Sequence, residues 1–358
     1  MSPDSFASPD SAAAPAAGTL PATEPARPDQ LGAALGDDGL LAPALLAAAV
    51  ARIGEVLPAT PLVCSERLRA WLKLENLQVT GAYKVRGALN ALAARAARGD
   101  RRPVVAASAG NHGLGVAWSA RLLGIAATVV VPDDAPDTKV AGCRALGARV
   151  VRVGGGFDAC AAHARAIAAA ENARFLHAFD DAEVIAGQAT VAAELLAQRP
   201  DVVVVPVGGG GLIAGMGSLL ARAGIRVVGA QVAGLDSLRR ALAEQDDGDG
   251  DSDDDDARPD AALPATLADG LRVTAPGRLP LRIAAAAVDE IVVVSEAEVA
   301  TAMATLALHE RIVAEGAGAV AIAALPQVTG DRRVAVVSGG NVDAGVLARV
   351  LAAWPGPG

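Results

Sequence analysis

Lysine is rare in this chain of 358 residues, occurring only at Lys73, Lys84 and Lys139, whereas arginine is common. A primary amine can form an imine with a carbonyl compound, and its pKa falls when it is buried. Lys84 follows a predicted turn, Thr80-Gly81-Ala82, and opens a predicted helix over residues 85–97. Lys84 is therefore a candidate for covalent catalysis, the alternative being a surface lysine at a helix start. The sequence around Lys73 predicts a solvent-facing strand residue, and Lys139 is predicted on the surface in the first turn of a helix.

Four consecutive glycines, Gly208 to Gly211, separate a predicted strand over residues 202–207 from a predicted helix over residues 212–223. Bare backbone allows several N–H groups to converge, and the helix N-terminus adds partial positive charge. Neither a nucleotide-binding lysine nor the dinucleotide fingerprint accompanies the glycines. The pattern predicts a site for a single phosphate monoester. The alternative is a tight turn without a ligand, which would not need four glycines.

Two other loops contain polar side chains directly after predicted strands. They are Ser108-Ala109-Gly110-Asn111-His112 and Ser338-Gly339-Gly340-Asn341. The strands are short runs rich in valine, isoleucine and alanine that alternate with helical stretches, a pattern typical of an α/β fold with parallel sheets. They are predicted at residues 104–107, 127–131, 149–153, 201–207, 226–230, 290–294 and 333–337. Ligands bind at the carboxyl ends of such strands, where these loops lie.

Composition excludes several classes of function. The net charge of −9 argues against nucleic-acid binding. No apolar run reaches the roughly 20 residues of a membrane-spanning helix. Three cysteines without short spacing argue against a disulfide framework or a zinc site and fit a cytoplasmic location.

Two segments have the composition of solvated chain. Residues 1–38 are rich in alanine, proline, aspartate and serine, and we expect a disordered extension there without a secretory signal. Residues 244–264 contain an acidic, glycine-containing run, which we interpret as a loop insertion. The spacing of its aspartates does not match a calcium-binding loop.

The motifs together resemble the threonine/serine dehydratase family of fold-type II pyridoxal-phosphate enzymes. The resemblance runs in order from about residue 60 to residue 347. It rests on residues 73–88, the three loops above and the matches Gly187-Gln188-Ala189-Thr190, Asp269-Gly270 and Glu315-Gly316-Ala317-Gly318-Ala319. It implies two doubly wound α/β domains with the site in the cleft between them. The large cofactor-binding domain would comprise residues 39–102 and 180–358, and a small mobile domain residues 103–179.

The resemblance also implies a role for each matching residue. Lys84 would carry pyridoxal 5'-phosphate as a Schiff base. Gly208, Gly209, Gly210, Gly211 and the Leu212 amide would hold the phosphate. Asn111 would bind the phenolic oxygen, and Ser338 would face the pyridine nitrogen. Ser108, Asn111 and His112 would bind the substrate carboxylate. Glu315 lies near the ring in the family and is a further candidate.

The implied reaction is β-elimination of water from L-threonine, L-serine or both, giving 2-oxobutanoate or pyruvate and ammonia. Lys84 would take the α-proton. The alternatives are a dehydratase for a hydroxyaspartate-like or phenylserine-like amino acid, a serine racemase, and a cofactor-binding homologue without turnover. No added basic residue in the loops indicates a second substrate carboxylate. The family implies a homodimer or tetramer.

Several positions depart from the family pattern. Gly81-Ala82-Tyr83-Lys84 replaces the usual Gly-Ser-Phe-Lys, which removes a hydroxyl contact to the substrate carboxylate. Ala109 occupies the position of the second acid/base of serine racemases, and alanine cannot transfer a proton. Gln231 and Ser237 replace two acidic metal ligands of the family, with Asp236 one place off, so we expect no metal.

Overall fold

The computed structural model describes residues 34–108, 110–135, 137–246, 264–354 and 356. Most of the predicted N-terminal extension, most of the acidic run and Ala109 lie outside these ranges. Within the described residues, no helix is both long enough and apolar enough to cross a membrane.

The larger sheet has six strands in the order β1-β2-β10-β7-β8-β9. Only β1 is antiparallel to its neighbour. The central valine-rich strands of this sheet are buried on both faces, which explains their continuous apolar runs. Their bounds are β1 Leu62–Ser65, β2 Ala70–Leu74, β7 Val202–Pro206, β8 Arg226–Val232, β9 Glu290–Val294 and β10 Arg333–Val337.

The smaller sheet has four parallel strands in the order β5-β4-β3-β6. Its strands are β3 Val104–Ala107, β4 Ala127–Pro132, β5 Arg149–Val153 and β6 Arg174–Phe175. Two α/β layers with parallel sheets confirm the predicted fold class. All four strands fall within residues 103–179, but the domain boundaries and the mobility of this unit stay predictions.

Helices alternate with the strands. Their bounds are α1 Pro43–Gly54, α2 Lys84–Ala97, α3 Asn111–Leu123, α4 Asp137–Ala145, α5 Phe157–Ala170, α6 Ala182–Ala193, α7 Gly211–Leu220, α8 Ser237–Asp246, α9 Arg278–Ala287, α10 Glu296–Thr305, α11 Gly316–Ala324 and α12 Ala344–Ala352. Most predicted elements agree with these within two or three residues.

The helical pattern in the sequence predicts a helix at residues 190–198, but helix α6 begins earlier, at Ala182. The Asp181 carboxylate accepts hydrogen bonds from the amides of Glu183 and Val184 and caps the helix N-terminus. Gly187 lies inside this helix. A larger residue would not fit there, because a Cβ would lie 2.6 Å from the Arg86 carbonyl oxygen. The glycine therefore allows α6 to pack closely against α2 and does not end a helix.

The prediction that Lys73 faces solvent is wrong. Its side chain is 2% exposed, and Nζ lies 2.5 Å from Glu194 Oε2 and 2.7 Å from the Thr60 carbonyl oxygen. Glu194 also accepts a hydrogen bond from Arg86, which is fully buried and pairs with buried Glu75. Lys73 therefore belongs to a buried ion-pair network that joins β2, α2 and the residues just after α6.

Candidate active site

A cavity of about 890 Å³ lies at the carboxyl ends of strands from both sheets. Every site residue predicted from the sequence lines it, namely Lys84, Ser108, Asn111, His112, Gly208, Gly209, Gly210, Gly211, Leu212 and Ser338. Segments that are far apart in the sequence thus converge on one cleft. The roles of the individual residues stay predictions.

Lys84 is the first residue of α2 and is half-buried. Its Nζ donates a hydrogen bond to the Ala178 carbonyl oxygen at 3.0 Å and lies 5.3 Å from the centre of the Tyr83 ring. Burial disfavours the ammonium form and lowers the pKa of Lys84 to about 8. With this pKa, a sizeable fraction of the amine is uncharged near neutral pH.

The glycine loop joins β7 to α7, and its residues are buried. Gly210 has φ +88°, and a Cβ on Gly209 would lie 2.5 Å from the Phe179 ring. Part of the glycine requirement is thus steric. The amides of Gly208 to Gly211 and Leu212 donate no hydrogen bond to another described residue. Buried donors of this kind require a partner, and an anion at the start of α7 would supply it.

Asn111, the first residue of α3, bridges the two layers. Its Nδ2 donates to Glu315 Oε1 at 2.6 Å, and its Oδ1 accepts from Asn341 Nδ2 at 2.8 Å. One N–H of the Asn111 amide remains for a ligand. Burial and the charge of Asp269 raise the pKa of Glu315 to about 7, against the lowering effects of Asn111 and Lys139. Glu315 is therefore a titratable group in contact with the site.

Ser108 directly follows β3, and its Oγ accepts a hydrogen bond from the Gly110 amide at 3.2 Å. His112 is 3% exposed, with Nε2 3.2 Å from the Leu176 carbonyl oxygen. Because that acceptor requires a proton on Nε2, Nδ1 carries a lone pair. Burial, Lys84 and His177 lower the pKa of His112 to about 3. The neutral imidazole offers no positive charge to a carboxylate, so the predicted role of His112 would rest on its backbone amide at the start of α3.

Ser338 follows β10 and is 3% exposed, and its Oγ donates to the Ala317 carbonyl oxygen at 3.3 Å. A hydroxyl at this position can donate to or accept from a ring nitrogen without fully protonating it. The side chain is therefore compatible with the role that the resemblance implies.

Several residues of the cleft were not predicted from the sequence. Lys139, predicted on the surface, lines the cavity, and its Nζ lies 2.7 Å from Asp269 Oδ2 across the cleft. Ala178 and Phe179 also line the cavity, beside Lys84 and the glycine loop respectively. The motif Asp269-Gly270 was a usable signal for Asp269, but nothing local marked the segment around Ala178.

At the end of β8 and just after it, two of the polar side chains considered in the sequence analysis are engaged by Arg239. Asp236 pairs with Arg239, and Gln231 Oε1 accepts a hydrogen bond from the Arg239 amide at 3.0 Å. The described residues contain no cluster of three histidine, cysteine or acidic side chains suited to a metal.

Known proteins resemble this chain over most of its length. The family model for pyridoxal-phosphate dependent enzymes matches residues 55–340. An L-threonine ammonia-lyase from Thermotoga maritima is 42% identical over 292 residues, which cover 78% of this chain and 69% of that protein. A T.th. threonine deaminase superposes with a TM-score of 0.75 at 34% identity, covering 84% of this chain and 99% of that one. Maize serine racemase gives a TM-score of 0.77 at 28% identity, covering 86% and 96%.

The family match covers more than half of the chain, and the parallel sheets and the cleft agree with it. The predicted resemblance to fold-type II enzymes is thus confirmed. The chain belongs to the family of pyridoxal-phosphate dependent enzymes.

Proposed function

We propose that this protein is an ammonia-lyase that removes water from L-threonine, L-serine or both, releasing 2-oxobutanoate or pyruvate and ammonia. The observation that carries the proposal is the 42% identity to an L-threonine ammonia-lyase. The cleft supports it, because the half-buried Lys84 amine and a set of amides without a partner among the described residues face the same space.

The residues of the cleft fit pyridoxal phosphate. The phosphate would accept hydrogen bonds from the amides of Gly208 to Gly211 and Leu212, which otherwise lack a described partner. Lys84 would be joined to the cofactor carbonyl carbon, Asn111 would donate its remaining N–H to the phenolic oxygen, and Ser338 would face the ring nitrogen. When bound, the cofactor supplies an electron sink conjugated with the α-carbon of an amino acid.

The reaction can be followed through the protein groups. The start of α3 and Ser108 would orient the substrate carboxylate. Once released, the Lys84 amine takes the α-proton, and its pKa of about 8 leaves a useful fraction uncharged near neutral pH. The C–H electron pair forms the Cα=Cβ bond as the β-hydroxyl leaves as water, and the proton removed from the α-carbon balances the one that the hydroxyl takes up. The released enamine tautomerises, and water hydrolyses it to the 2-oxo acid and ammonia.

Elimination is favoured over racemisation by the residue type at position 109. A racemase needs an acid/base on the second face of the α-carbon, and alanine provides none. Exposed Asp133 and Asp134 line the cleft and disfavour a hydroxyaspartate-like substrate with a second carboxylate.

We also propose a cytoplasmic homo-oligomer. Cys64, Cys143 and Cys160 are free thiols, which a reducing compartment preserves. Trp71 and Val63 are both 41% exposed on or beside the edge strand β1, where a second copy could cover them. Light scattering at several protein concentrations tests the oligomeric state.

The decisive test is a screen of hydroxy amino acids with added pyridoxal phosphate, measuring ammonia and 2-oxo acid. We expect turnover of L-threonine, L-serine or both, little of 3-hydroxyaspartate, and no interconversion of the serine enantiomers. Lys84→Ala should lose both the absorbance of the bound cofactor and ammonia release. Normal turnover by that variant would refute the mechanism. A cofactor spectrum that no hydroxy amino acid changes would instead support a cofactor-binding protein without turnover.

A further inference from the structure

The segment of residues 176–180, which we name the site loop, connects β6 to α6. It matched no catalytic pattern in the sequence. Two of its backbone carbonyls face site residues: Leu176 oxygen lies 3.2 Å from His112 Nε2, and Ala178 oxygen accepts from Lys84 Nζ at 3.0 Å. The site loop therefore contacts both the candidate nucleophile and the start of α3.

Phe179 makes the second kind of contact. A Cβ on Gly209 would lie 2.5 Å from the Phe179 ring, and a Cβ on Gly211 would lie 2.9 Å from the Phe179 Cβ. The ring therefore packs directly against the glycine backbone. A shift of Phe179 would change the surface on which the unpaired amides of that loop are arranged.

His177 holds the turn that produces both contacts. Its Nδ1 accepts hydrogen bonds from the Phe179 amide at 3.3 Å and the Asp180 amide at 2.8 Å. Its ring also meets the Phe179 ring edge to face, with the centroids 4.5 Å apart. An acceptor from residue i to the amides of i+2 and i+3 fixes a tight turn, as Asx side chains do.

The imidazole is suited to a constant acceptor role. Burial lowers the pKa of His177 to about 4, with Arg165 and Lys84 acting in the same direction and Asp180 opposing them. Near neutral pH, Nδ1 therefore keeps its lone pair, and the turn does not depend on a protonation event.

We propose that His177 is a positioning residue whose Nδ1 aims the Ala178 carbonyl at Lys84 and the Phe179 ring at the glycine loop. The inference rests on the proposed function, because it assumes that Lys84 captures the cofactor. A neutral amine that donates one N–H to Ala178 keeps its lone pair for attack on a carbonyl carbon. Without the turn, neither the amine nor the glycine amides would be held in place.

The test uses the cofactor-free full-length protein and two aldehydes, pyridoxal phosphate and pyridoxal, which lacks the phosphate. The rate of capture of pyridoxal measures how well the Lys84 amine is positioned. The ratio of the capture rates of pyridoxal phosphate and pyridoxal measures how well the glycine loop binds the phosphate. His177→Leu removes the acceptor, whereas His177→Asn restores one at the same spacing. His177→Ala serves as a second deletion if the leucine variant does not fold.

We expect His177→Leu to slow capture of pyridoxal by about tenfold, corresponding to the loss of about one well-placed hydrogen bond. It should also lower the ratio of the capture rates of pyridoxal phosphate and pyridoxal. His177→Asn should keep the rate of pyridoxal capture within about threefold of the parent rate. Equal behaviour of the leucine and asparagine variants, or unchanged capture in both, would overturn the proposal. Failure of the proposed function would look different: the parent protein would release no ammonia, whatever its aldehyde capture.

Discussion

The sharpest quantitative expectation concerns the acidity of Lys84 in the cofactor-free protein. Burial lowers its pKa from the usual 10.5 to about 8. At pH 7.5 about a quarter of the amines would then be uncharged, compared with about one in a thousand for an exposed lysine. The rate of pyridoxal phosphate capture should accordingly rise with pH and level off above about pH 8.

The small number of lysines makes this acidity directly measurable. With ¹³Cε-labelled lysine, only Lys73, Lys84 and Lys139 would give signals. Lys84→Met and Lys139→Arg assign them by the signal that each variant loses. A titration midpoint of the Lys84 signal near pH 10.5 would refute the argument that burial lowers its pKa, independently of which substrate the enzyme uses.

The same shift has a consequence for stability. Between about pH 8 and 10.5 the unfolded state holds the Lys84 proton while the folded state has released it, so folding becomes more favourable as pH rises. Lys84→Met should remove this slope and raise the free energy of unfolding near neutral pH, by at most about 3 kcal/mol. Chemical denaturation at pH 7 and pH 10 measures both effects.

Three further expectations follow from contacts in the structure. Gly209→Ala should weaken pyridoxal phosphate binding because its Cβ would meet the Phe179 ring, and adding Phe179→Ala should restore part of the affinity in a titration. Glu75→Ala should lower the free energy of unfolding by about 3–5 kcal/mol, measured with urea, because it leaves Arg86 buried without that partner. Glu315→Gln should stabilise the protein at pH 8 but not at pH 4.5. The folded pKa of Glu315, about 7, exceeds its usual 4.5, so ionisation costs stability as pH rises between these values. An equal effect at both pH values would contradict this last expectation.

The sequence by itself predicted the parallel strands and the position of the site. Buried parallel strands are continuous apolar runs, so β3, β5, β9 and β10 were found with their observed bounds. Lys84 at a helix start and four glycines between a strand and a helix are local patterns with local causes. Because the loops after parallel strands meet at one edge of a sheet, their convergence on one cleft also followed.

Contacts between distant segments could be read only from the tertiary structure. Lys73 has the alternating neighbours of a surface strand, but Glu194, 121 residues away, pairs with it in the interior. Asn111 meets Glu315 across 204 residues, and Lys139 meets Asp269 across 130. Nothing in the neighbouring sequence encodes these pairs.

The site loop could not be predicted from the sequence either. Its role depends on backbone carbonyls and on a turn closed by His177, and a carbonyl oxygen carries no signature of residue type. The sequence therefore determined which side chains could do the chemistry. The packing of α2, the site loop and the glycine loop decided how these side chains are oriented, because their orientation depends on contacts that form only in the folded chain.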